Sequence, residues 1–141
     1  MTMNKKRMAK MMQLADSVLI VSGILKQNQN GFFIEDSYNG QTSGFGVTVA
    51  MNGLLPALVI YYQQASESRE INRKNILEAI ARMIHQDEEF NGHAQISNAD
   101  SLLAAAIASP TSKSLRKEVL DCVVALKQII RTYKLEEHEE S

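Results

Sequence analysis

Apolar side chains recur every three or four residues along most of the chain, and this spacing predicts α-helices. In the first segment the pattern continues from Met8 to Leu25, which predicts a helix from about Asn4 to Gln27. Gly31, in the sequence NQNG, is predicted to end this helix, because glycine readily adopts the left-handed conformation of a helix stop.

Residues 28–46 lack this periodicity. Their sequence, NQNGFFIEDSYNGQTSGFG, is rich in glycine, asparagine and serine, which favour loops over regular elements. A long loop is therefore predicted here, with a short hairpin as the alternative. Phe32, Phe33 and Ile34 are expected to pack back onto the core.

The most apolar stretch of the chain is VAMNGLLPALVIYYQQ, Val49 to Gln64. A hairpin at Asn52-Gly53 is disfavoured because the flanking residues do not alternate between apolar and polar. Two helical interpretations stay open. Either a helix runs from about Phe45 to Ser66 and bends near Pro56, or a helix starts at Asn52 as its N-cap, with Pro56 in the first turn. Both predict a buried helix.

Three further helices are predicted downstream: Asn72–Gln86, Ala99–Ala108 and Ser112–Leu135. The sequence SNAD resembles a capping box, with Ser97 as N-cap and Asp100 as the acid that reaches back. The tail, residues 136–141, is acidic and is expected to fray. The whole chain, 1–141, is therefore predicted to be one all-α domain, a helical bundle of about five to six helices with hardly any strand.

Composition and charge exclude several classes of protein. The net charge of −1 argues against a wholly basic nucleic-acid-binding protein, although it is compatible with a local basic patch. The single cysteine, Cys122, excludes an internal disulfide framework and a cysteine-based zinc site, and it fits a reducing compartment. No apolar run reaches the roughly 18 residues that a membrane span requires. The expectation is a cytoplasmic protein with no membrane partner.

No catalytic or metal-binding pattern stands out. His85, His93 and His138 include no pair at the spacing of a helical metal site. The sequence GQTSGFG lacks the Lys-Ser/Thr that completes a phosphate loop. Cys122 falls on the apolar face of the last helix and is predicted to be buried. We therefore expect no enzyme activity, no cofactor and no metal site.

The last predicted helix carries the strongest candidate for a binding surface. At about 100° per residue, its basic side chains share one stripe, and its acids Glu118 and Asp121 lie outside that stripe. This basic stripe consists of Lys113, Arg116, Lys117, Lys127, Arg131 and Lys134. It is either a solvated charged face or a surface for backbone phosphates. Leu120 and Val124 lie within it, where either a neighbouring element covers them or a partner protein contacts them.

A second group of basic residues precedes the first apolar positions and is expected to be a solvated helix end. It consists of Lys5, Lys6, Arg7 and Lys10.

Two segments resemble one known family. The sequence MNGLLPALVIYY is similar to an Asn-Gly-Leu segment at the start of a buried helix, and EVLDCVVALKQIIRTYKL is similar to an amphipathic last helix with a basic and aromatic end. Both features, and the order of the predicted elements, resemble the small all-helical subunit of the type III-B (Cmr) CRISPR effector complex.

This resemblance implies a structural subunit of a CRISPR-Cas ribonucleoprotein that serves antiviral defence. Copies would stack in the minor filament, beside target RNA paired with CRISPR RNA, and contact the backbone and large Cas subunits. The basic stripe would then face nucleic acid, and Leu120 and Val124 would face protein. The segment NGLLPALVIYY would form the central core helix, with Asn52-Gly53 as its capped start or a close-packing point.

Two other interpretations stay open at this stage. One is the corresponding small subunit of the type III-A (Csm) complex, which is similar in size and helicity. The other is a generic helical adaptor or homodimer, which would use Leu120 and Val124 against a protein and touch no nucleic acid.

Overall fold

The protein is described by a computed structural model that covers residues 3–63 and 72–137. Within these ranges six α-helices are present: α1 (Lys5–Val18), α2 (Ser37–Asn52), α3 (Leu54–Tyr62), α4 (Lys74–Gln86), α5 (Ala99–Ala108) and α6 (Lys113–Ile130). Three short strands form one sheet: β1 (Leu25–Asn28), β2 (Gly31–Glu35) and β3 (Leu135–Glu136). The fold is therefore mostly helical, and the all-α prediction missed the sheet.

Helix α4 lies at the centre of the bundle and packs against α1, α3, α5 and α6. Over half of its residues are buried: Ile76, Leu77, Ala79, Ile80, Ala81, Met83 and Ile84. The prediction that NGLLPALVIYY forms the central helix is wrong. That segment becomes α3, which lies at the periphery, where Val59 and Ile60 are exposed. The error arose because a short helix can be apolar all round while packing on one side only.

Helix α1 ends nine residues earlier than predicted, at Val18 instead of Gln27. Gly23, with φ of +85°, ends the turn that follows the helix. The amides of Ile24 and Leu25 both donate to the carbonyl of Leu19, so the backbone groups at the helix end are satisfied. Leu19, Ile24 and Leu25 pack on the core after Val18, so apolar residues continue past the end of the helix.

Residues 25–35 form the hairpin that was the alternative for this region. β1 pairs antiparallel with β2, and Leu25 lies opposite Ile34. Gly31 does have positive φ, at +111°, but it closes the hairpin and does not stop a helix. Ile34 is fully buried, as predicted, whereas Phe32 is exposed.

The predicted loop over residues 28–46 is wrong, because much of it folds into α2. Three glycines lie inside this helix, although each costs about 1 kcal/mol relative to alanine. One face compensates by burying Tyr38, Thr42, Phe45 and Val49. The glycines also allow close packing, since a Cβ at Gly46 would lie 3.0 Å from Val123 Cγ1. Tertiary packing thus overrides local propensity.

Asn52-Gly53 is the junction between α2 and α3. Gly53 has φ of +93° and ψ of 165°, a conformation outside both helices, and its amide donates to the carbonyl of Val49. Pro56 is the third residue of α3. The N–H groups of the first helical turn have no acceptor within the helix, so the N–H that proline lacks costs α3 no hydrogen bond. The second helical interpretation, in which a helix starts at Asn52 with Pro56 in its first turn, is therefore nearly correct, except that Gly53 and not Asn52 is the N-cap. The predicted end at Ser66 lies outside the described residues.

The later helices agree closely with prediction, apart from their ends. α5 spans Ala99–Ala108 as predicted, but its capping box pairs Asn98 with Ser101 and not Ser97 with Asp100. Ser112 caps α6 as its side chain accepts from the Leu115 amide. α6 ends at Ile130, five residues before the predicted Leu135, and Leu135 pairs with Ile34 in a parallel β2–β3 ladder.

The acidic tail is partly ordered. Glu136, predicted to fray, lies in β3, and its carbonyl accepts from the Asp36 amide at 2.7 Å. Residues 138–141 lie outside the described ranges. In the ranges that are described, no helix is both long and apolar enough to cross a membrane.

Candidate nucleic-acid interface

The amphipathic pattern of α6 decides which of its side chains reach the surface. Its apolar face lies against α1, α2 and α4, burying residues such as Val119, Cys122 and Leu126. The opposite face of α6 points to solvent, and it carries the basic stripe. All six basic residues are exposed except Lys127, which is half-buried. The predicted separation of basic and apolar faces is therefore confirmed.

Two arginines of the stripe also hold α6 against α2. Arg116 Nη2 donates to the carbonyl of Ala50 at 3.1 Å, and Arg131 Nε donates to Asn39 Oδ1 at 3.0 Å. These contacts lie near opposite ends of the two antiparallel helices. Each uses only part of the guanidinium, whose other N–H groups point to further acceptors or solvent. The arginines therefore combine a packing role with exposed positive charge.

The lysines of the stripe differ in whether they form an ion pair with an acid of this chain. Lys117 Nζ lies 2.9 Å from Asp121 Oδ2, and Lys134 Nζ lies 3.5 Å from Glu136 Oε2. Lys113 and Lys127 have no hydrogen bond or ion pair with any described residue. Lys134 follows the end of α6 and precedes β3, so it does not belong to the helix as predicted. Lys113 and Lys127 are thus the cations most available to an external phosphate.

Leu120 and Val124 both have the positions that were predicted within the stripe. Leu120 is half-buried and packs against the core, so neighbouring residues of this chain cover much of it. Val124 keeps 37% of its surface exposed. The two residues, predicted as one protein-contact pair, are therefore unequal, and Val124 offers more apolar surface to a partner.

The acids of α6 face α1, on the side away from α2, and this arrangement was not predicted. Arg7 Nη2 donates to Glu118 Oε1 at 2.9 Å, Arg7 Nε donates to Asp121 Oδ2 at 3.0 Å, and Arg7 Nη1 donates to Asp87 Oδ2 at 3.1 Å. Lys10 Nζ bridges Asp87 and Glu89. We call this set, which is Arg7, Lys10, Asp87, Glu89, Glu118 and Asp121, the Arg7 cluster. It joins α1, the end of α4 and α6.

The Arg7 cluster corrects the prediction of a solvated N-terminal basic patch. Lys5 and Lys6 are exposed, as that prediction requires, but Arg7 pairs with three buried acids, and Lys10 pairs with the buried Asp87 and the exposed Glu89. Burial opposes the charge on Arg7, yet the hydrogen bond to Asp121 and the negative charge of Asp87 outweigh it and raise its pKa. A sequence with Arg7 and Asp87 so far apart gives no signal of this contact.

Glu118 and Asp87 are two buried carboxyl groups whose pKa values shift in opposite directions. Burial, and then the Asp87 carboxylate, raise the pKa of Glu118 above its ordinary value of 4.5. Burial also acts to raise the pKa of Asp87, but hydrogen bonds with Glu118 and Lys10 and the charge of Arg7 outweigh it and lower that pKa. Glu118 Oε2 is buried and receives no hydrogen bond from a described donor. Burial and the neighbouring Asp87 carboxylate therefore favour the protonated form of Glu118.

A comparison with protein-family models decides which family the chain belongs to. The family described as CRISPR-associated protein (Cas_Cmr5) matches residues 3–133, nearly the whole chain. The chain belongs to the Cas_Cmr5 family. Searches of curated proteins and of solved structures gave no match.

Membership of the Cas_Cmr5 family confirms the resemblance that the two sequence segments indicated. It makes the chain a CRISPR-associated subunit of a type III complex. The matched range contains both α3 and α6, and it includes all of the basic stripe except Lys134. The generic adaptor outside CRISPR systems is thereby set aside.

The remaining reactive side chains of this Cas_Cmr5 member are held in structural positions. Cys122 is buried as predicted, and burial raises the pKa of its thiol. His85 and His93 lie together, and each ring Nδ1 contacts the backbone carbonyl of the other, at 3.2 and 2.8 Å. Among the described residues, no group of three or more potential ligands could hold a metal ion. His138 lies outside the described ranges.

Proposed function

We propose that the chain is a non-catalytic structural subunit of a type III-B CRISPR-Cas ribonucleoprotein. Copies of it stack in the minor filament, beside target RNA paired with CRISPR RNA, and the subunit supports antiviral defence in the cytoplasm. The family match supports the CRISPR assignment, and the family's Cmr designation favours the type III-B complex over type III-A.

The observation that carries the RNA contact is the outward basic stripe of α6. From Lys113 to Ile130 the helix rises about 26 Å, which is long enough to follow several phosphates of a bound strand. Lys113 and Lys127, which form no ion pair with a described residue, provide two of the positive charges. The remaining N–H groups of Arg116 and Arg131 add two more positive charges along the stripe. Phosphate contacts of this kind position a protein on nucleic acid without reading its sequence.

Val124 supports a protein contact within the same surface. It is exposed between the basic side chains, and an apolar residue at that place gains from being covered. The backbone and large Cas subunits are the proposed partners, together with neighbouring copies of the chain. We also propose that the subunit needs no cofactor or metal, because phosphate contacts and apolar packing suffice for this role.

A pull-down from the native host tests the proposal. The tagged wild-type chain is expected to recover a backbone-type Cas protein together with small CRISPR RNA and target RNA. The double variant Lys113→Glu/Lys127→Glu should keep the Cas protein but recover less target RNA, because it reverses the two unpaired charges. It is a cleaner variant than one that replaces Arg116 or Arg131, since those arginines also bind α2.

The matched control is Lys5→Glu/Lys6→Glu, which makes the same change in net charge on exposed residues of α1. This control should recover Cas protein and RNA as the wild type does. Equal loss of RNA in both double variants would show that net charge matters and the stripe does not. Recovery of one unrelated protein without RNA would overturn the proposed function.

A further inference from the structure

The small sheet places an aromatic side chain between two lysines. In the antiparallel β1–β2 ladder, Lys26 lies opposite Phe33. In the parallel β2–β3 ladder Ile34 lies beside Leu135, so Phe33 and Lys134, which directly precede them, are neighbours as well. The amide of Ile34 donates to the carbonyl of Lys134 at 2.9 Å, in agreement with this register. Lys26, Phe33 and Lys134 therefore form one row across the sheet, which we call the Phe33 row.

The Phe33 row lies on the face of the sheet that points away from the core. Successive side chains of a strand point to opposite faces, and the buried side chains of Leu25 and Ile34 occupy the inner face. Phe33 therefore points outward. Among the described residues, the half-buried apolar side chains that pack on the core do not include Phe33. This corrects the expectation that Phe33 packs back onto the core, and it leaves the ring between two lysines, each about 5 Å away across the strands.

Positive charge is the more exposed charge on this outer face. Lys26 pairs with Glu35, and the lysine side chain is 48% exposed whereas the glutamate is 11% exposed. Lys134 pairs with Glu136, with exposures of 61% and 29%. Both acids lie two residues further along their strands than the Phe33 row, and residues 25–34 contain no acid. A ligand that approaches the ring from the hairpin side therefore meets ammonium groups before it meets carboxylates.

An aromatic ring flanked by two cations matches the chemistry of an unpaired nucleotide. Nucleobases stack on aromatic side chains whatever their sequence, and lysines bind the phosphates of the same strand. The row spans two strand spacings, about 10 Å, so the two lysines can contact phosphates on either side of one base. A duplex keeps its base faces stacked inside, so only an unpaired base can use the ring.

We propose that the Phe33 row binds one unpaired nucleotide of an RNA strand, with the base on the Phe33 ring and the flanking phosphates on Lys26 and Lys134. Lys134 is also the last residue of the basic stripe and follows Arg131 by three residues, so a strand that runs along the stripe reaches the sheet at this point. This inference rests on the proposed function for the identity of the strand. It adds a contact with a base to a surface that otherwise contacts only phosphates.

Fluorescence anisotropy of the purified chain with a labelled oligouridylate of about 15 nucleotides tests the stacking contact. Phe33→Leu keeps an apolar side chain but removes the ring, and it should raise the dissociation constant roughly 5- to 100-fold, as loss of one base–aromatic stack does. Phe33→Tyr keeps the ring and should bind as the wild type does. Phe32→Leu is the matched control, because Phe32 is the adjacent phenylalanine on the opposite face of β2 and is 49% exposed. It should also bind as the wild type does.

A duplex RNA of the same length separates stacking from charge. Phe33→Leu should leave affinity for the duplex unchanged, whereas Lys26→Gln/Lys134→Gln should weaken binding of the single strand and reduce its salt dependence. A wild type that does not bind the single strand, equal effects of Phe32→Leu and Phe33→Leu, or a loss that Phe33→Tyr does not restore would each overturn the proposal. The proposed function is tested separately, because the pull-down variants leave the ring in place and their outcome does not depend on stacking.

Discussion

Glu118 is the residue whose chemistry departs most from what its type suggests. It lies on α6 next to the fully buried Asp87, and only Arg7 supplies it with a hydrogen-bond donor among the described residues. With both carboxyl groups ionised, two negative charges would be held together away from water. A proton on Glu118 removes this repulsion and gives Asp87 a donor. The Arg7 cluster therefore depends on one acid that stays neutral.

Glu118→Gln is expected to remove a pH dependence of stability. The folded wild type keeps a proton on Glu118 between pH 4.5 and about 8, whereas the unfolded chain releases it. The unfolded state then binds fewer protons, so the free energy of unfolding falls as pH rises through this window. Glutamine mimics the protonated acid, and the variant should be more stable than wild type by about 1 to 3 kcal/mol at the alkaline end. Urea denaturation at several pH values measures this difference.

Glu89→Gln provides the control for this prediction. Glu89 belongs to the same cluster, but its side chain is 58% exposed, so its replacement should leave the pH dependence as in the wild type. Wild type and Glu118→Gln with the same slope would mean that Glu118 is ionised in the folded protein.

At the scale of elements, the junction of α2 and α3 depends on glycine. Gly53 occupies a backbone conformation, φ +93° and ψ 165°, that other residues rarely adopt. The junction turns the chain so that α2 packs against α6 and α3 packs against α5. The Asn-Gly pair thus joins two helices, which is a task different from both a hairpin turn and an N-cap on Asn52.

Gly53→Ala is expected to destabilise the protein by about 1 to 3 kcal/mol, because the added Cβ makes this backbone conformation strained. The cost is conformational and not steric, since the nearest atom to the new Cβ would be Pro56 Cδ at 3.9 Å. The midpoint of urea denaturation measures it. Asn52→Ala, at an exposed side chain with no cap bond, should change stability by less than about 0.5 kcal/mol. Equal effects of the two variants would contradict the role given to Gly53.

At the scale of the whole molecule, charge is distributed by packing. Asp121 of α6 and Asp87 pair with the cations Arg7 and Lys10 of α1 on one side of α6, and the outward side keeps its positive charge. This explains how a chain with a net charge of −1 presents a basic surface. The surface does not depend on an excess of basic residues, because the compensating acids lie elsewhere.

The salt dependence of RNA binding by the assembled complex should report this surface. Complexes that contain Lys113→Glu/Lys127→Glu are expected to show a shallower dependence, with the slope of log K against log salt reduced by about 1 to 2 for each copy. The reason is that two phosphate contacts, and the counterions they release, are lost. Filter binding at several salt concentrations measures the slope. Complexes with Lys5→Glu/Lys6→Glu should keep the wild-type slope, and a slope unchanged in both would contradict an RNA-facing stripe.

The sequence by itself determined the elements whose periodicity is strong and whose ends carry clear signals. α4 and α5 follow from apolar spacing, and α6 follows from its amphipathic pattern and from Ser112 as its cap. The separation of the basic stripe from the acids of α6 was also fixed locally, because 3.6 residues per turn places side chains on faces whatever the surroundings. The same two segments that carry α3 and α6 were enough to indicate the family.

The tertiary structure alone decided the conformation of segments in which local preferences compete with packing. Glycines in residues 37–52 disfavour a helix, yet α2 forms there because one face buries Tyr38 and Phe45 and the glycines admit α3 and α6. β3 exists only because β2 lies beside it, and α6 therefore ends early. The pairing of Arg7 with acids 80 and more residues away, and the neutral Glu118, depend on distances in space. Such contacts leave no trace in periodicity, since they join positions that no local pattern relates.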